Sequence, residues 1–393
     1  VQTDVAIVGA GPAGSVAARR LAAAGVRVVL LERDTFPRDK PCGDGVSARS
    51  LAVLARTGLA GWASRFPAPE ILRFTSPDGH VLDVRPKTGD GYCYGRTIPR
   101  RLLDARLAQA AVEAGARLVE GTRVRGVDRI DGRTRVIADG LEVAAQLVIL
   151  SDGSRAPITR QLGLASGLAE LVAARQYFVG DVGPEERMEI HFEQPVVPHY
   201  TWLFPLGDGR VNVGTATYTR RARRGDINLR EVLARFVASH LVAEGRLARA
   251  EPVGPVRGHP LRTRLDSTRT HAERVLVAGD AAGLVNPLSG EGIAPAMESG
   301  ELAAARTLVA LEAGDFSAQA LAPYSQALGA RYGADQRAAR ILRLALSAPI
   351  LPNRIFRRLR QDDELALLIG YVIIGHRSPR LALRPTTLLR LLT

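Results

Sequence analysis

Only two cysteines, Cys42 and Cys93, occur in 393 residues, too few for a disulfide framework and in keeping with a reducing compartment. Aromatic residues make up 5%, so a large apolar pocket must be lined mainly by Leu, Val, Ile and Ala. No run reaches the roughly 20 apolar residues of a membrane-spanning helix. The nearest, Leu365 to Ile374, is interrupted by Gly370 and Tyr371 and followed by His376 and Arg377. It reads as a buried C-terminal helix, with shallow insertion into a membrane surface as the alternative. The strand-like Val5-Ala6-Ile7-Val8 starts so early that no signal segment is expected before it. Without a Cys-x-x-Cys or a His-x-x-x-His helix pair, a metal site is not expected. The absence of a Gly-x-Ser-x-Gly elbow argues against serine hydrolase chemistry. No internal repeat or low-complexity linker is present.

What is present is an ordinary globular balance, 46% apolar and 24% charged, in a chain long enough for two closely packed domains. The net charge is +13, from 53 basic and 40 acidic residues. Most of the excess is arginine scattered through helical stretches, which reads as a solvated basic surface. An anionic substrate or an anionic membrane face stays open. No basic–aromatic module accompanies the charge, so nucleic acid is not an expected partner. The location expected is cytoplasmic, either free or peripheral on a membrane.

Three separated segments read as one parallel α/β scaffold. Thr3 to about Leu31 gives strand, Gly-rich turn, helix (Ser15 to Ala24) and strand; Gln146 to Leu150 and Arg274 to Ala278 are short apolar strands. Between them, Ile71 to Val84 alternates around Pro77-Asp78-Gly79, and Val172 to Ala216 holds β-like runs, including Tyr200 to Leu206 and Val211 to Ala216. The fold class predicted is α/β: a discontinuous Rossmann-like dinucleotide-binding domain, an inserted mostly antiparallel β-sheet substrate domain, and a C-terminal helical region. The expected bounds are 1–70, 98–170 and 255–320 for the first, 71–97 and 171–254 for the second, and 321–393 for the third. Ala318 to Arg343 reads as helix, and Pro349, Pro352, Pro379 and Pro385 punctuate shorter helices beyond it.

The strongest motif is Gly9-Ala10-Gly11-Pro12-Ala13-Gly14. It follows an apolar strand, opens an Ala-rich helix, and is followed by a second apolar strand ending in Glu32, with Arg33 next. That context fits a dinucleotide fingerprint. Gly9 permits the tight turn, Gly11 lets the backbone approach a pyrophosphate, and Gly14 allows close helix–strand packing. The helix N-terminus offers free N–H groups to phosphate, and Glu32 can accept from the adenosine ribose. A second loop, Val275 to Asp280 and then Asn286-Pro287-Leu288-Ser289-Gly290-Glu291-Gly292-Ile293, points to FAD rather than NAD. Asp280 can accept from ribityl hydroxyls, and free N–H groups around Gly292 and Ile293 can stabilise charge on a reduced flavin. No second Gly-x-Gly-x-x-Gly is present, so NADPH or another electron donor is expected to bind only transiently.

The chain resembles the geranylgeranyl reductase family, within the larger group shaped like aromatic-ring hydroxylases. Besides both flavin motifs, the resemblance rests on Pro41-Cys42-Gly43-Asp44-Gly45, on Arg100-Arg101-Leu102-Leu103-Asp104, on Ser151-Asp152-Gly153-Ser154, and on Tyr200-Thr201-Trp202-Leu203-Phe204-Pro205 with Gly214 after it. The last is similar to the family's Tyr-x-Trp-x-Phe-Pro…Gly signature. The resemblance implies FAD contacts at Ala13, Glu32, Cys42, Gly43, Gly45, Arg100, Val124, Asp280, Gly292 and Ile293. Arg100 is preferred over Arg101 because it stands four residues before Asp104. A similar Asp-Gly in aromatic hydroxylases touches FAD and the nicotinamide donor, which adds Asp152; Arg155 and Arg160 could meet phosphates or be surface arginines. Trp202 and Phe204 share a strand face with Tyr200, as a core ladder or as a pocket wall over the flavin. Tyr200, Trp202, Phe204 and Pro205 are the substrate-pocket candidates, and Cys42, Tyr200 and Trp202 the catalytic ones; Cys42 reads equally as a small apolar filler.

The expected activity is FAD-dependent saturation of carbon–carbon double bonds in an isoprenoid chain, of geranylgeranyl or menaquinone type. The alternative is an FAD monooxygenase that hydroxylates or epoxidises an aromatic, polyketide or isoprenoid substrate. A non-catalytic flavoprotein used for redox sensing or membrane docking is a third reading, which the intact set of flavin motifs disfavours.

Overall fold

The computed structural model describes residues 1–85, 95–130, 132–165, 167–180, 183–239, 247, 249–348 and 350–392. Cys93 and Pro349 lie outside the described residues.

The short apolar runs become strands buried on both faces, as a parallel sheet covered by helices requires. Val5–Val8 pairs in parallel with Val28–Leu31 on one side and Leu147–Leu150 on the other. Arg117–Val119 extends one edge, and Val275–Val277 with the antiparallel His271–Ala272 extends the other. All residues of the three central strands are buried. The first helix is Pro12–Ala23, three residues earlier at its start than the apolar pattern suggests, because Pro12 sits at the first helical position, where its missing N–H costs nothing. It packs on the helix Ile293–Ala313 so closely that a Cβ on Gly300 would stand 2.3 Å from the Ala13 carbonyl oxygen. Chain segments far apart in sequence thereby form one cofactor-binding layer, the mixed α/β architecture that the sequence predicts.

A seven-stranded sheet packs beside it, in the order Glu251–Leu261, Leu171–Val179, Arg210–Tyr218, Thr201–Pro205, Arg187–His191, Ile71–Thr75, Val81–Val84. Only the pair Arg187–His191 and Ile71–Thr75 is parallel. The Tyr200 expected within a strand falls one residue before it. A separate antiparallel meander of Val124–Ile130, Arg133–Ala138 and Leu141–Ala145 is not distinguishable in the sequence pattern from its surroundings.

The C-terminal helices Ala318–Leu346, Leu351–Leu359, Asp363–Ile373 and Pro385–Leu392 close one face of the seven-stranded sheet. Asp362 caps the apolar helix Asp363–Ile373 by accepting from Leu365 N at 3.0 Å. Leu365, Ile369 and Val372 pack in one core with Phe74, Trp202 and Phe356, each contributing roughly 2 kcal/mol by burial. Among the described residues, no helix is long and apolar enough to cross a membrane.

Candidate active site

The site is built from two adjoining cavities along the junction of the sheets. The first runs past Gly9, Gly11, Glu32, Arg33, Val124 and Asp152. Gly9 has φ +96°, and a Cβ there would meet the Ser151 carbonyl oxygen at 2.4 Å; a Cβ on Gly14 would stand 2.0 Å from the Gly9 oxygen. Only glycine closes this turn. At Gly11 nothing nearer than 3.9 Å would meet a Cβ, so its backbone is open to the cavity, and no side chain caps the helix it starts. Free N–H groups and the positive helix end therefore face the space where a pyrophosphate fits. Glu32 is buried and accepts from Ala10 N at 2.9 Å and Asp34 N at 3.2 Å. Arg38 approaches it at 3.4 Å, while its buried Nε has no partner in the protein. Ala13 does not line the cavity; it is buried against Gly279 and Gly300.

The second cavity is bordered by Cys42, Gly43, Gly45, Arg100, Asp280, Gly292 and Ile293. Both cavities share Lys40, Pro41 and His259, so together they make an elongated groove. Lys40 is one of only two lysines in the chain. Burial pushes the Asp280 carboxyl up, but Lys40 at 3.3 Å and Arg100 outweigh it and hold it below the usual carboxylate range. Ser154 Oγ also donates to it, at 3.0 Å. His259 is driven down to about 3, chiefly by burial and then by Lys40, and its buried Nε2 lacks a partner. The imidazole is neutral at the junction.

Arg100 is buried and donates twice to Asp104, both at 2.7 Å. Arg38 reaches the same carboxylate at 2.9 Å. Burial opposes the charge on Arg100, and Asp104 more than restores it. The neighbouring Arg101 is exposed. Past Gly292 the helix Ile293–Ala313 begins without a side-chain cap, so a second positive helix end faces the groove.

Tyr200, Trp202 and Phe204 line the second cavity together, as their alternation requires. Pro205 is in the same strand, one step out of that alternation, and is not among the lining residues. The ring centroids of Tyr200 and Trp202 are 6.3 Å apart, and those of Trp202 and Phe204 6.4 Å. Trp202 lies over Gly214, where a Cβ would be 2.1 Å from its Cζ2. The Trp202 indole N–H donates to Asn212 Oδ1 at 3.0 Å. Asn212 in turn donates to the Cys42 carbonyl at 2.7 Å and to Asp44 Oδ2 at 2.8 Å. Tyr177 adds a bond to Asp44 at 2.6 Å, and Asp44 itself takes φ +62°. One polar network thus ties the aromatic wall to the Cys42–Gly45 loop. Tyr200 donates its hydroxyl to the Ser289 carbonyl, which ties the same wall to the loop leading into the helix Ile293–Ala313.

Cys42 lines the cavity, and burial pushes its thiol up, so it stays protonated. Asp152 accepts from Ile158 N at 2.8 Å, Thr159 N at 3.1 Å and Thr159 Oγ1 at 2.5 Å, which fastens the helix Pro157–Gln161. Glu291 also lines the cavity. Burial raises its carboxyl to about 7, partly opposed by Arg49 and by the bond from Ser47, and its Oε2 has no partner. Lys40, Asp44, Tyr177, Asn212, His259 and Glu291 escape sequence reasoning. Asn212 has only a weak sequence signal, its place two residues before Gly214 and so on the same strand face.

The groove, its two glycine-bounded helix ends and its unpartnered Arg38 and His259 nitrogens fit an extended dinucleotide and define a flavoprotein of the Rossmann type. Residues 2–332 match the family described as FAD binding domain. The chain is 34% identical over 361 residues to menaquinone reductase of Mycobacterium tuberculosis, covering 88% of this chain and 84% of the relative. It is 32% identical over 405 residues to digeranylgeranylglycerophospholipid reductase 2 of Methanopyrus kandleri, covering 99% and 98%. A geranylgeranyl bacteriochlorophyll reductase-like structure from Thermoplasma acidophilum superposes with TM-score 0.80 at 23% identity, over 97% and 98%. A flavin-dependent brominase shares the fold at TM-score 0.75 and 19% identity, over 97% of each chain. The chain belongs to the FAD-binding-domain family that includes these reductases, and is an FAD-dependent oxidoreductase.

Proposed function

We propose that the protein saturates carbon–carbon double bonds of a prenyl chain, using FAD bound along the groove. The carrying observation is the wall of Tyr200, Trp202 and Phe204, continued by Leu72, Met188, Ile190, Leu288 and Ile374, in the same cavity as Gly43, Gly45, Gly292 and Ile293. An isolated alkene offers no hydrogen bonds, and this wall asks for none: its Tyr and Trp donors are already engaged. Bound and reduced, the flavin supplies the hydride. Gly9, Gly11, Gly14 and Glu32, with Arg33, Val124 and Asp152 along the same cavity, would hold the ADP half; Asp280 would hold the ribityl chain; Cys42, Gly43, Gly45, Arg100, Gly292 and Ile293 would hold the ring. The N–H groups at the Ile293 helix start would favour negative charge on a ring held there. Tyr200 and Trp202 act by shaping the pocket and excluding water, and Cys42 as a protonated thiol at its edge. The reductase names of relatives above 30% identity support this reading over a monooxygenase, for which only likeness of fold speaks.

The electron donor is a nicotinamide or a separate carrier that visits without a domain of its own. A peripheral membrane location is supported by Ile341, Leu344, Ile350 and Leu389, exposed by 56, 75, 70 and 63%, in an arginine-rich C-terminal region. The test is single turnover without oxygen. Reduced enzyme mixed with a prenyl substrate regains oxidised-flavin absorbance if the reading is right, and stays reduced until air is admitted if it is not.

A further inference from the structure

One side chain of the second cavity has no role in holding FAD or shaping the aromatic wall. Glu291 stands between Gly290 and Gly292, on the loop where Ser289 anchors Tyr200, and it lines the cavity together with Tyr200, Trp202 and Ile374. The loop is fixed from within. Asn286 Oδ1 accepts from Leu288 N at 2.8 Å and Ser289 N at 3.2 Å, Asn286 N donates to the Glu291 carbonyl at 2.8 Å, and Glu291 N donates to Ser289 Oγ at 3.2 Å. One carboxyl oxygen, Oε1, accepts from Ser47 Oγ, the cap of the helix Ala48–Arg56. The other, Oε2, is buried without a partner and lies against Gly375, where a Cβ would stand 2.6 Å from it. Gly375, at φ +81°, thus keeps free the space a side chain would take from the acid.

The groups around this carboxyl leave it protonated. Arg49, from the helix Ala48–Arg56, is committed to Glu298 at 2.7 Å, and Arg331 meets the same Glu298 at 2.8 Å. Tyr200 and Cys42, on the side of the wall, are uncharged. Burial therefore outweighs Arg49 and the Ser47 bond, and Glu291 is raised to about 7. The other proton carriers of the cavity are poorer acids or already engaged. Asp280 is ionised and paired with Lys40, and burial holds His199 and His259 neutral. The Tyr200 hydroxyl is given to Ser289, and burial pushes the Cys42 thiol up from an already higher value. An unpartnered acid poised near neutrality beside an apolar wall suits proton transfer.

We infer that Glu291 is the proton donor that completes saturation of the prenyl double bond. This rests on the prenyl-reductase reading and supplies the half of the reaction that hydride alone does not. An isolated alkene is a poor hydride acceptor, so a proton must be offered to its other carbon as the hydride arrives. One alkene carbon takes the hydride that reduced FAD supplies, and the other takes the proton from Glu291 Oε2, which has no hydrogen bond to give up first. The π bond is exchanged for two C–H bonds and the cofactor ends oxidised by two electrons. The carboxylate left on Glu291 regains a proton from water.

The experiment uses the FAD-loaded protein, with geranylgeranyl diphosphate and a menaquinone as prenyl probes, and begins without turnover. Infrared difference spectra of the oxidised protein show a protonated-carboxyl band that titrates near pH 7 and is lost in Glu291→Gln. Reduced protein is then mixed with each probe without oxygen, and the return of oxidised-flavin absorbance is timed. In wild type the rate falls as pH rises through about 7, because only the protonated acid serves. Glu291→Gln keeps its FAD and its Kd for the probe but reoxidises about 100-fold or more slowly, with that pH dependence gone. Glu291→Ala is as slow and regains part of its rate with added acetate, whereas Glu291→Gln, its space filled, does not. A purely structural carboxyl would show neither the pH dependence nor the rescue. Wild type that leaves both probes unchanged overturns the reductase reading and the donor with it. Wild type that reduces a probe, with Glu291→Gln within about threefold of its rate or with the carboxyl band retained in that variant, overturns the donor alone and leaves the reductase reading standing.

Discussion

Substituting Gly214 by alanine gives the sharpest structural prediction. The new methyl would stand 2.1 Å from Trp202 Cζ2, 2.6 Å from its Cε2 and 2.7 Å from the Ala174 carbonyl oxygen. The carbonyl belongs to a paired strand and cannot retreat, so the indole must. Its movement strains a packed core, at about 1–3 kcal/mol. It also breaks the bond to Asn212, which is fully buried, at about 1–3 kcal/mol more for the group left unsatisfied. The total is on the order of 2–6 kcal/mol, readable as a lower urea midpoint. Asn212 also holds the Cys42–Gly45 loop, so prenyl turnover falls while the Gly9–Gly14 cradle still binds FAD. Because the chain has two tryptophans, a Trp62→Phe background isolates Trp202, whose emission shifts to the red. Unchanged emission with a stability change within about 0.5 kcal/mol would refute the packing argument and the pocket wall built on it.

Three further outcomes rest on the same contacts. Asp104→Leu leaves Arg100 and Arg38 without their shared carboxylate, so it destabilises by roughly 3–5 kcal/mol and yields protein purified without flavin absorbance; a stable, yellow variant counts against this. Gly14→Ala meets the Gly9 carbonyl at 2.0 Å and abolishes FAD binding, checked by flavin content and by thermal unfolding with added FAD. Burial depresses His191 to about 4 and His199 to about 3, below their unfolded value of 6.5. The unfolded chain therefore takes up protons first: stability is full above pH 6.5 and is lost as pH falls toward those values, by roughly 3 kcal/mol or more per histidine. Glu291, raised to about 7, contributes in the opposite sense, with stability lost as pH rises from about 4.5 to 7. Urea titrations across pH of His191→Gln and Glu291→Gln should flatten the acid and the neutral limb respectively, and parallel curves would contradict the assignment.

The cofactor layer was legible because its signals are local. The Gly9–Gly14 turn, the three fully apolar strands and the loop from Asp280 to Ile293 each carry their own stereochemical reason. The aromatic wall was half legible: alternation put Trp202 and Phe204 on one face, but the bond from the indole to Asn212, which the register sets opposite Phe204, is a cross-strand contact that alternation does not show. Pro205 was grouped with the wall as part of a motif, although the pleat turns it away from the cavity. What joins the site is nonlocal: Lys40 meets Asp280 across 240 positions, and Tyr177 meets Asp44 across 133. No periodicity encodes such pairs.

The central claim, hydride delivery to a prenyl alkene, is tested most directly by product mass. Chemically reduced, FAD-loaded enzyme is incubated with geranylgeranyl diphosphate, and separately with a menaquinone, under strict anaerobiosis. The account predicts a geranylgeranyl product heavier by one or more hydrogen pairs. Unchanged substrate there, with an oxygen-dependent product carrying an added oxygen atom when air and NADPH are supplied, would contradict it.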